Sequence, residues 1–167
     1  AMAKTYGSPT KAIANALMTF KGIKRRFSYQ IKTDNLVYID DYAHHPTEIN
    51  AVHQAVRELY PNEKVLAIFQ PHLFSRTRDF ADDFAKSLSA FDEVLLLDIY
   101  PARELPMEGI TSDWLLDKMT NTDKKVVSKS DLIPSILKSN CKIIVTIGAG
   151  DIGELVKTIK VALNENI

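Results

Sequence analysis

The sequence has one cysteine, no net charge and no long apolar run, and each of these features excludes a class of protein. Cys141 cannot form a disulfide within the chain, which excludes a disulfide-stabilised secreted domain. The 21 lysine and arginine residues balance 21 aspartate and glutamate residues, which argues against broad electrostatic binding of nucleic acid or anionic lipid. No stretch approaches the ~20 apolar residues that span a bilayer, and no secretory signal opens the chain. We therefore expect a cytoplasmic protein with no nucleic-acid partner and no membrane partner.

The sequence also lacks the phosphate-binding loop G-x-x-x-x-G-K-[ST], so we expect no loop of this type to bind ATP in these 167 residues. Its composition, with 46% hydrophobic and 25% charged residues, is that of an ordinary globular domain that can bury a core without disulfides or metals. The opening letters AMAKTYG are unusual for a natural start. We expect the chain to be part of something longer.

Helix and strand patterns alternate from residue 36 to the end of the sequence. The strand segments are continuously apolar, for example KVLAIFQ and KIIVTIG, as is typical of strands with both faces covered. Before them, RRFSYQIKTDNLVYIDD has the alternation and the central turn of a β-hairpin. The pattern predicts an α/β fold with a mostly parallel sheet and an antiparallel hairpin strand at one edge.

Two helix predictions name individual positions. SPTKAIANALMTF is expected to have Ser8 as N-cap and Pro9 as first helical residue. RDFADDFAKSLSAF is predicted as one helix with Phe80, Phe84 and Leu88 on one stripe. Both predictions depend on local pattern alone.

Polar residues concentrate in the segments that follow four predicted strands. Because ligands of parallel sheets gather at the carboxyl ends of the strands, we expect these segments to meet at one edge. They are DDYAHHPTE, QPHLFSRTRD, DIYPARELPMEG and GAGDIG.

GAGDIG allows two explanations. Gly148, Gly150 and Gly153 match the dinucleotide pattern G-x-G-x-x-G, but the strand and acidic residue that should follow are missing. The alternative is that the glycines form a tight turn and let the last helix pack on the sheet, with its N-terminus open to an anion.

DDYAHHPTE also allows two explanations. Its side chains, with His72, offer nitrogen and oxygen ligands for zinc or manganese, which leaves a metal-dependent hydrolase open. The alternative is a loop with His45 near a helix start and Pro46 as first helical residue. The candidate metal ligands are Asp40, Asp41, His44, His45 and His72.

Two segments are rich in cations. In QPHLFSRTRD, Arg76 and Arg78 suit a carboxylate or phosphate, because a guanidinium can bind two oxygens at once, and His72 can accept or donate. KGIKRRF is a possible hinge that presents charge to a neighbouring domain. A non-catalytic nucleotide-binding module is a further possibility.

Five blocks in a fixed order resemble one family. FKGIKRRF, IDDYAHHPTEI, FQPHLFSRTRDF, DIYPARE and TIGAGDIG resemble the carboxyl-terminal domain of the bacterial Mur ligases, over roughly residues 10–160. The closest branch joins L-alanine to UDP-N-acetylmuramate, and the branch that recycles murein tripeptide is the alternative. The resemblance implies a Rossmann-like, three-layer αβα domain over residues 23–167. Residues 1–22 would be a leader and the last helix of a central ATPase domain.

The resemblance also implies how the reaction runs. ATP, with Mg²⁺, phosphorylates the muramate carboxylate, and the amine of L-alanine attacks the acyl phosphate, so that positioning and charge stabilisation dominate catalysis. The N-terminal and central domains would bind the UDP group and ATP. We therefore expect this chain to be inactive alone, to bind no cofactor tightly and to act in peptidoglycan and cell-wall biogenesis.

Residue roles follow from the same resemblance. On the nucleotide side, Arg26 and then Arg25 are expected to reach the ATP phosphates, and Asp41 to lie near the ribose. No metal ligand is assigned to this chain.

On the amino-acid side, Tyr42 and His44 are expected at the reacting groups. Tyr42, His72 and Arg76 are expected to hold L-alanine. Leu73 stands where relatives have an arginine, which makes Arg76 the more important cation.

Overall fold

Six strands form one mixed sheet in the computed structural model, which describes residues 2–20 and 22–166. The strands are β1 (Ser28–Lys32), β2 (Val37–Asp41), β3 (Val65–Phe69), β4 (Glu93–Leu96), β5 (Asp123–Val126) and β6 (Ile143–Ile147). Their order across the sheet is β1-β2-β6-β3-β4-β5. β1 is antiparallel to β2, and the other neighbouring pairs are parallel. The predicted α/β fold with an antiparallel edge strand is confirmed.

Helices cover both faces of this sheet. In the described residues they are α1 (Met2–Thr5), α2 (Thr10–Thr19), α3 (Pro46–Leu59), α4 (Phe74–Asp79), α5 (Ala81–Leu88), α6 (Ser112–Asp117), α7 (Lys129–Lys138) and α8 (Ile152–Asn164). α3, α5 and α6 contribute to the buried cluster on one face, and α7 and α8 contribute to the cluster on the other. The domain is therefore a three-layer αβα arrangement.

Alternate residues of the central strands supply the two cores. In β3, Val65, Ala67 and Phe69 belong to one cluster, while Leu66 and Ile68 belong to the other. All five are fully buried. Because both faces of the strand are covered, its sequence is apolar at every position instead of alternating.

The helix predicted from RDFADDFAKSLSAF is in fact two helices, and the stripe beginning at Phe80 is wrong. Phe80 separates α4 from α5 with φ −116° and ψ 22°, and its side chain is 37% exposed. The Phe80 ring lies 4.8 Å from the His45 ring, so the aromatic contact is with the loop before α3. Phe84 and Leu88 are buried as predicted. Arg76 consequently lies on a short helix of its own.

The first long helix, α2, adds no side chain to either core. Pro9, and not Ser8 as predicted, occupies its N-cap position, and no side chain caps it. None of the residues of α2 is buried. Leu17 and Met18 are 68% and 78% exposed.

The described helices are short. The longest, α3, has 14 residues, which gives a length of about 21 Å against a bilayer core of about 30 Å. Across residues 2–20 and 22–166, no helix has the length and apolarity needed to cross a membrane.

Candidate functional site

The carboxyl ends of β2, β6, β3 and β4 lie side by side at one edge of the sheet, which we call the rim. Asp41 of β2 is in register with Ile147 of β6, and Ile147 is in register with Phe69 of β3. A parallel bridge between His72 and Tyr100 continues the pairing into the following loops. The segments after these strands therefore meet, as the strand-end pattern predicts.

His72 and Arg76 lie close together on the rim, and each has a buried nitrogen without a hydrogen-bond partner among the described residues. These atoms are His72 Nδ1 and Arg76 Nη1. Burial lowers the pKa of His72, and the charges of Arg76 and His44 lower it further, so the imidazole is neutral at pH 7. A buried polar atom left unpaired costs about 1–3 kcal/mol. A ligand with polar groups at this point would recover that free energy.

Two neighbouring side chains fix the position of this pair. The His72 ring stacks on Tyr100, with ring centroids 5.6 Å apart. The Glu104 carboxylate accepts hydrogen bonds from the Ser75 backbone N–H, at 3.0 Å, and from the Ser75 hydroxyl. These hydrogen bonds lower the pKa of Glu104, so the carboxylate is ionised and anchors the first turn of α4 next to Arg76.

Tyr42 and His44 extend the site along the rim. The Tyr42 ring is 5.6 Å from the His44 ring, and the His44 ring is 6.1 Å from the His72 ring. Tyr42 is 40% exposed. The structure thus brings together the four residues predicted for the amino-acid side, with Arg76 next to His72.

The carboxylate of Asp40 binds Arg25 in residues 22–27, the segment before β1 that we call the linker. Asp40 is fully buried and accepts a hydrogen bond from Arg25 Nε at 2.9 Å and another from the Thr146 hydroxyl at 2.9 Å. Arg25 Nη2 also donates to the Gly148 carbonyl at 2.8 Å. The guanidinium of Arg25, a candidate for ATP, is therefore bound to protein groups. Arg26, the next residue, is exposed.

The carboxylate of Asp41 binds backbone N–H groups of two segments, the linker before β1 and the loop after β2. It accepts from the Phe27 N–H at 2.6 Å and from the Ala43 N–H at 2.8 Å. Asp41 is only 7% exposed. These contacts fix the linker and the Tyr42 loop to the same strand end, while the ribose contact stays a prediction.

Leu73 has a strained backbone in the middle of the site. Its φ of 73° and ψ of 132° lie in a region that side chains rarely adopt. Hydrogen bonds enforce this conformation: the Leu73 N–H donates to Tyr100 O at 2.9 Å, and the Leu73 carbonyl accepts from the Thr77 hydroxyl at 2.8 Å. Such strain costs about 1–3 kcal/mol and clusters at functional sites.

The strain at Leu73 predicts that glycine at this position stabilises the folded protein more than alanine does, the reverse of the usual order. Leu73→Gly should be more stable to unfolding than Leu73→Ala by roughly 1 kcal/mol, because glycine adopts positive φ without a steric cost. At an ordinary φ, alanine would be the more stable by about 0.5–1 kcal/mol. Both variants lose the leucine side chain, so chemical denaturation of the pair isolates the backbone term. A more stable alanine variant would contradict the strain.

The glycines of GAGDIG make room for other residues of this chain. A Cβ at Gly150 would overlap Gln70 Oε1, and a Cβ at Gly153 would lie 2.5 Å from Arg25 Nη1. Gln70 Oε1 accepts the N–H of Ile152 at 2.9 Å, at the first residue of α8. The Gln70 side chain thus occupies the N-terminus of α8, the position at which dinucleotide-binding domains bind phosphate. The contacts favour the packing explanation of the motif.

The histidines and aspartates do not form a metal centre in the part of the chain that the structure describes. No group of three or more His, Cys, Asp or Glu side chains is arranged to hold an ion there. His45 instead caps α3, with Nδ1 accepting from the Thr47 N–H at 3.3 Å. This contact favours the helix-start explanation of DDYAHHPTE.

Sequence reasoning assigned no role to two residues that shape the rim, Gln70 and Tyr100. Gln70 binds the N-terminus of α8, and Tyr100 stacks on His72, so both contact residues far away in sequence. Both lie in segments that follow a strand, β3 for Gln70 and β4 for Tyr100, and this position is the signal that could have identified them.

Comparison with known proteins places this geometry in a family. Residues 25–159 match the family described as Mur ligase, glutamate ligase domain. The chain is 77% identical over 167 residues to the UDP-N-acetylmuramate–L-alanine ligase of Flavobacterium johnsoniae, of which it spans 37%. The chain thus spans well under half of this curated relative.

Solved structures show the same fold. The UDP-N-acetylmuramate–alanine ligase of Thermotoga maritima superposes with a TM-score of 0.78 at 26% identity, over 99% of this chain and 36% of that one. A murein peptide ligase of Psychrobacter arcticus gives 0.68 at 24% identity, over 99% of this chain and 35% of that one, which is a likeness of fold alone. The chain therefore belongs to the Mur ligase family and carries the C-terminal, glutamate ligase domain of that family.

Proposed function

We propose that this chain is the amino-acid-delivering, nucleotide-closing domain of an ATP-dependent ligase that joins L-alanine to UDP-N-acetylmuramate in the cytoplasm, during peptidoglycan synthesis. The observation that best supports this is the pair of buried nitrogens, His72 Nδ1 and Arg76 Nη1, which have no partner within the described ranges. The 77% identity to a ligase of that name supports the choice of substrates.

L-Alanine carries a carboxylate and an amine, and the rim offers a group for each. The Arg76 guanidinium binds the carboxylate, because its planar donors match two carboxylate oxygens. His72, held neutral by burial and by Arg76, orients the amine without repelling it. Tyr42, at the exposed side of the site, covers the bound amino acid.

The nucleotide side of the proposal relies on Arg26. Arg26 is exposed, so its guanidinium is free to approach ATP phosphates when the domain closes, whereas Arg25 serves mainly to bind Asp40. Asp41 fixes the linker and is the candidate for the ribose. The described residues offer no carboxylate cluster for Mg²⁺, and we assign that ion to the central domain.

Catalysis then depends on positioning. ATP phosphorylates the muramate carboxylate, and the amine of L-alanine attacks the acyl phosphate as His44 and Tyr42 close over the reacting groups. Holding the two reactants together removes much of the entropic barrier, and fixed charges stabilise the developing oxyanion.

The first residues belong, in this proposal, to the central domain. The family match begins at residue 25, and α2 has no buried residue. The exposed apolar side chains of Leu17 and Met18 in α2, and of Phe20 directly after it, would be covered when the central domain is present. The domain boundary therefore falls near residue 22.

Phosphate release tests the proposal. In the full-length protein, phosphate release from ATP should require both UDP-N-acetylmuramate and L-alanine, with glycine, L-serine and a murein tripeptide as competing acceptors. Residues 1–167 alone should show no release above background, because the ATP loop is absent from them. Preference for the tripeptide would favour the recycling ligase. Alanine-dependent release by residues 1–167 would contradict the predicted inactivity of the domain alone.

A further inference from the structure

We propose that Glu48 is a positioning residue that holds the His44 imidazole in its Nδ1–H tautomer, so that Nε2 accepts the proton of the incoming amine. The catalytic part of this inference rests on the proposed function, because it needs an amine that attacks an acyl group. The tautomer itself depends only on contacts within this chain.

The surroundings of His44 Nδ1 determine which ring nitrogen carries the proton. Nδ1 lies 3.1 Å from the Tyr42 carbonyl oxygen and 3.3 Å from Glu48 Oε2. A backbone carbonyl and an ionised carboxylate can only accept hydrogen bonds. Nδ1 must therefore be the donor, and in the neutral ring Nε2 has the free lone pair.

Glu48 is held ionised and in place. Partial burial raises its pKa, but the backbone N–H groups of His44 and His45 and the charges of His44 and Arg26 outweigh this, so the pKa lies below its usual value. Oε2 accepts the His44 N–H at 2.8 Å. Because Glu48 is the third residue of α3, the start of that helix fixes the carboxylate relative to the ring.

The groups around His44 place it beside the proposed amino-acid site. The His72 ring is 6.1 Å away and the Tyr42 ring 5.6 Å away. Of the charged groups nearby, Glu48 faces His44, Arg26 acts on Glu48, and Arg76 acts on His72. A base at this point can reach an amine oriented by His72.

Formation of the amide bond transfers one proton from the amine to His44. The lone pair of the neutral amine forms the N–C bond to the acyl carbon, and the C–O bond to phosphate breaks with its electrons leaving on phosphate. One N–H proton passes to His44 Nε2. The resulting imidazolium then has Nδ1–H against the Glu48 carboxylate, which stabilises its charge.

A pH profile separates this role from a purely structural one. In the full-length protein, Glu48→Gln should move the acidic limb of the kcat/KM profile to lower pH, because the imidazolium loses the carboxylate that lies 3.3 Å from Nδ1. It should also lower kcat by about ten-fold, part of the 10²–10⁴-fold that general base catalysis contributes. Glutamine still accepts the His44 N–H, so the helix start is preserved.

Glu154→Gln is the matched control, since Glu154 is an exposed glutamate at the third residue of α8. It removes the same charge from an equivalent helix position and should leave the profile unchanged. An acidic limb unmoved in Glu48→Gln, or moved equally in Glu154→Gln, would overturn the role of Glu48.

The tautomer has a test that needs no activity. Imidazole ¹⁵N chemical shifts in residues 1–167 should show neutral His44 protonated at Nδ1, and protonation at Nε2 would overturn the inference. If phosphate release by the full-length protein does not depend on L-alanine, the proposed function and the catalytic part of this inference are both wrong. The ¹⁵N chemical shifts test the tautomer independently of that outcome.

Discussion

Arg25→Ala is expected to lower the free energy of unfolding by about 3–5 kcal/mol, because it leaves the Asp40 carboxylate buried without its cation. The pair is well formed, with Nε to Oδ2 at 2.9 Å, and the two side chains are only 18% and 1% exposed. Arg25 Nη2 also donates to Gly148 O, so the α8 turn loses a contact as well. Urea denaturation of residues 1–167 measures the change.

Arg26→Ala is the control for this prediction. Arg26 is the neighbouring arginine, exposed to solvent, and its loss should change stability by less than about 0.5 kcal/mol. Adding Asp40→Asn to Arg25→Ala should recover part of the loss, because the uncompensated charge is gone. Equal unfolding midpoints for the two arginine variants would show that the buried pair has no structural role.

The same contrast separates stability from nucleotide binding in the full-length protein. Arg26→Ala should raise the KM for ATP without lowering the melting temperature, whereas Arg25→Ala should lower the melting temperature. We therefore expect the two adjacent arginines of KGIKRRF to have distinct roles, which their sequence positions do not distinguish.

The sequence predicted those features of the fold that depend on local pattern. β3 is apolar at every position and β6 at every position except Thr146, because both faces of these strands are covered, and such runs are typical of central parallel strands. The meeting of DDYAHHPTE and QPHLFSRTRD at one edge followed from the rule for strand ends. The prediction for Phe80 was wrong, because the helical spacing of apolar residues continues through Phe80 although its backbone is not helical and its ring packs against the His45 ring.

Partnerships across the chain could not be predicted in this way. Arg25 and Gly148 are 123 residues apart, and no periodicity links them. The resemblance suggested that Arg25 and Asp41 contact ATP, but it contained no information on which lone pairs and donors the protein itself uses. The pairing of Gln70 with the α8 N-terminus likewise joins residues that are 82 positions apart, and no pattern in GAGDIG indicates that a side chain occupies that helix end.

Arg76→Ala in the full-length protein is expected to raise the KM for L-alanine by about ten- to a hundred-fold and to leave the KM for ATP nearly unchanged. A hydrogen bond to a charged group contributes about 1.5–3 kcal/mol, and each 1.4 kcal/mol is ten-fold in affinity. Because Arg76 Nη1 is buried without a hydrogen-bond partner among residues 2–20 and 22–166, its removal breaks no hydrogen bond of that atom within them. We therefore expect a binding defect with little loss of folding stability.

Two variants show whether that defect is specific to Arg76. Arg78→Ala removes an exposed arginine of the same helix, whose guanidinium binds Asp79 at 2.7 Å, and should change the KM for alanine little. Arg76→Lys keeps the charge but loses the planar pair of donors, so its KM should lie between those of wild type and Arg76→Ala. An unchanged alanine KM in Arg76→Ala would contradict the proposed carboxylate contact. An equal rise in the KM values for alanine and ATP would instead assign Arg76 to domain closure, because closure affects both substrates.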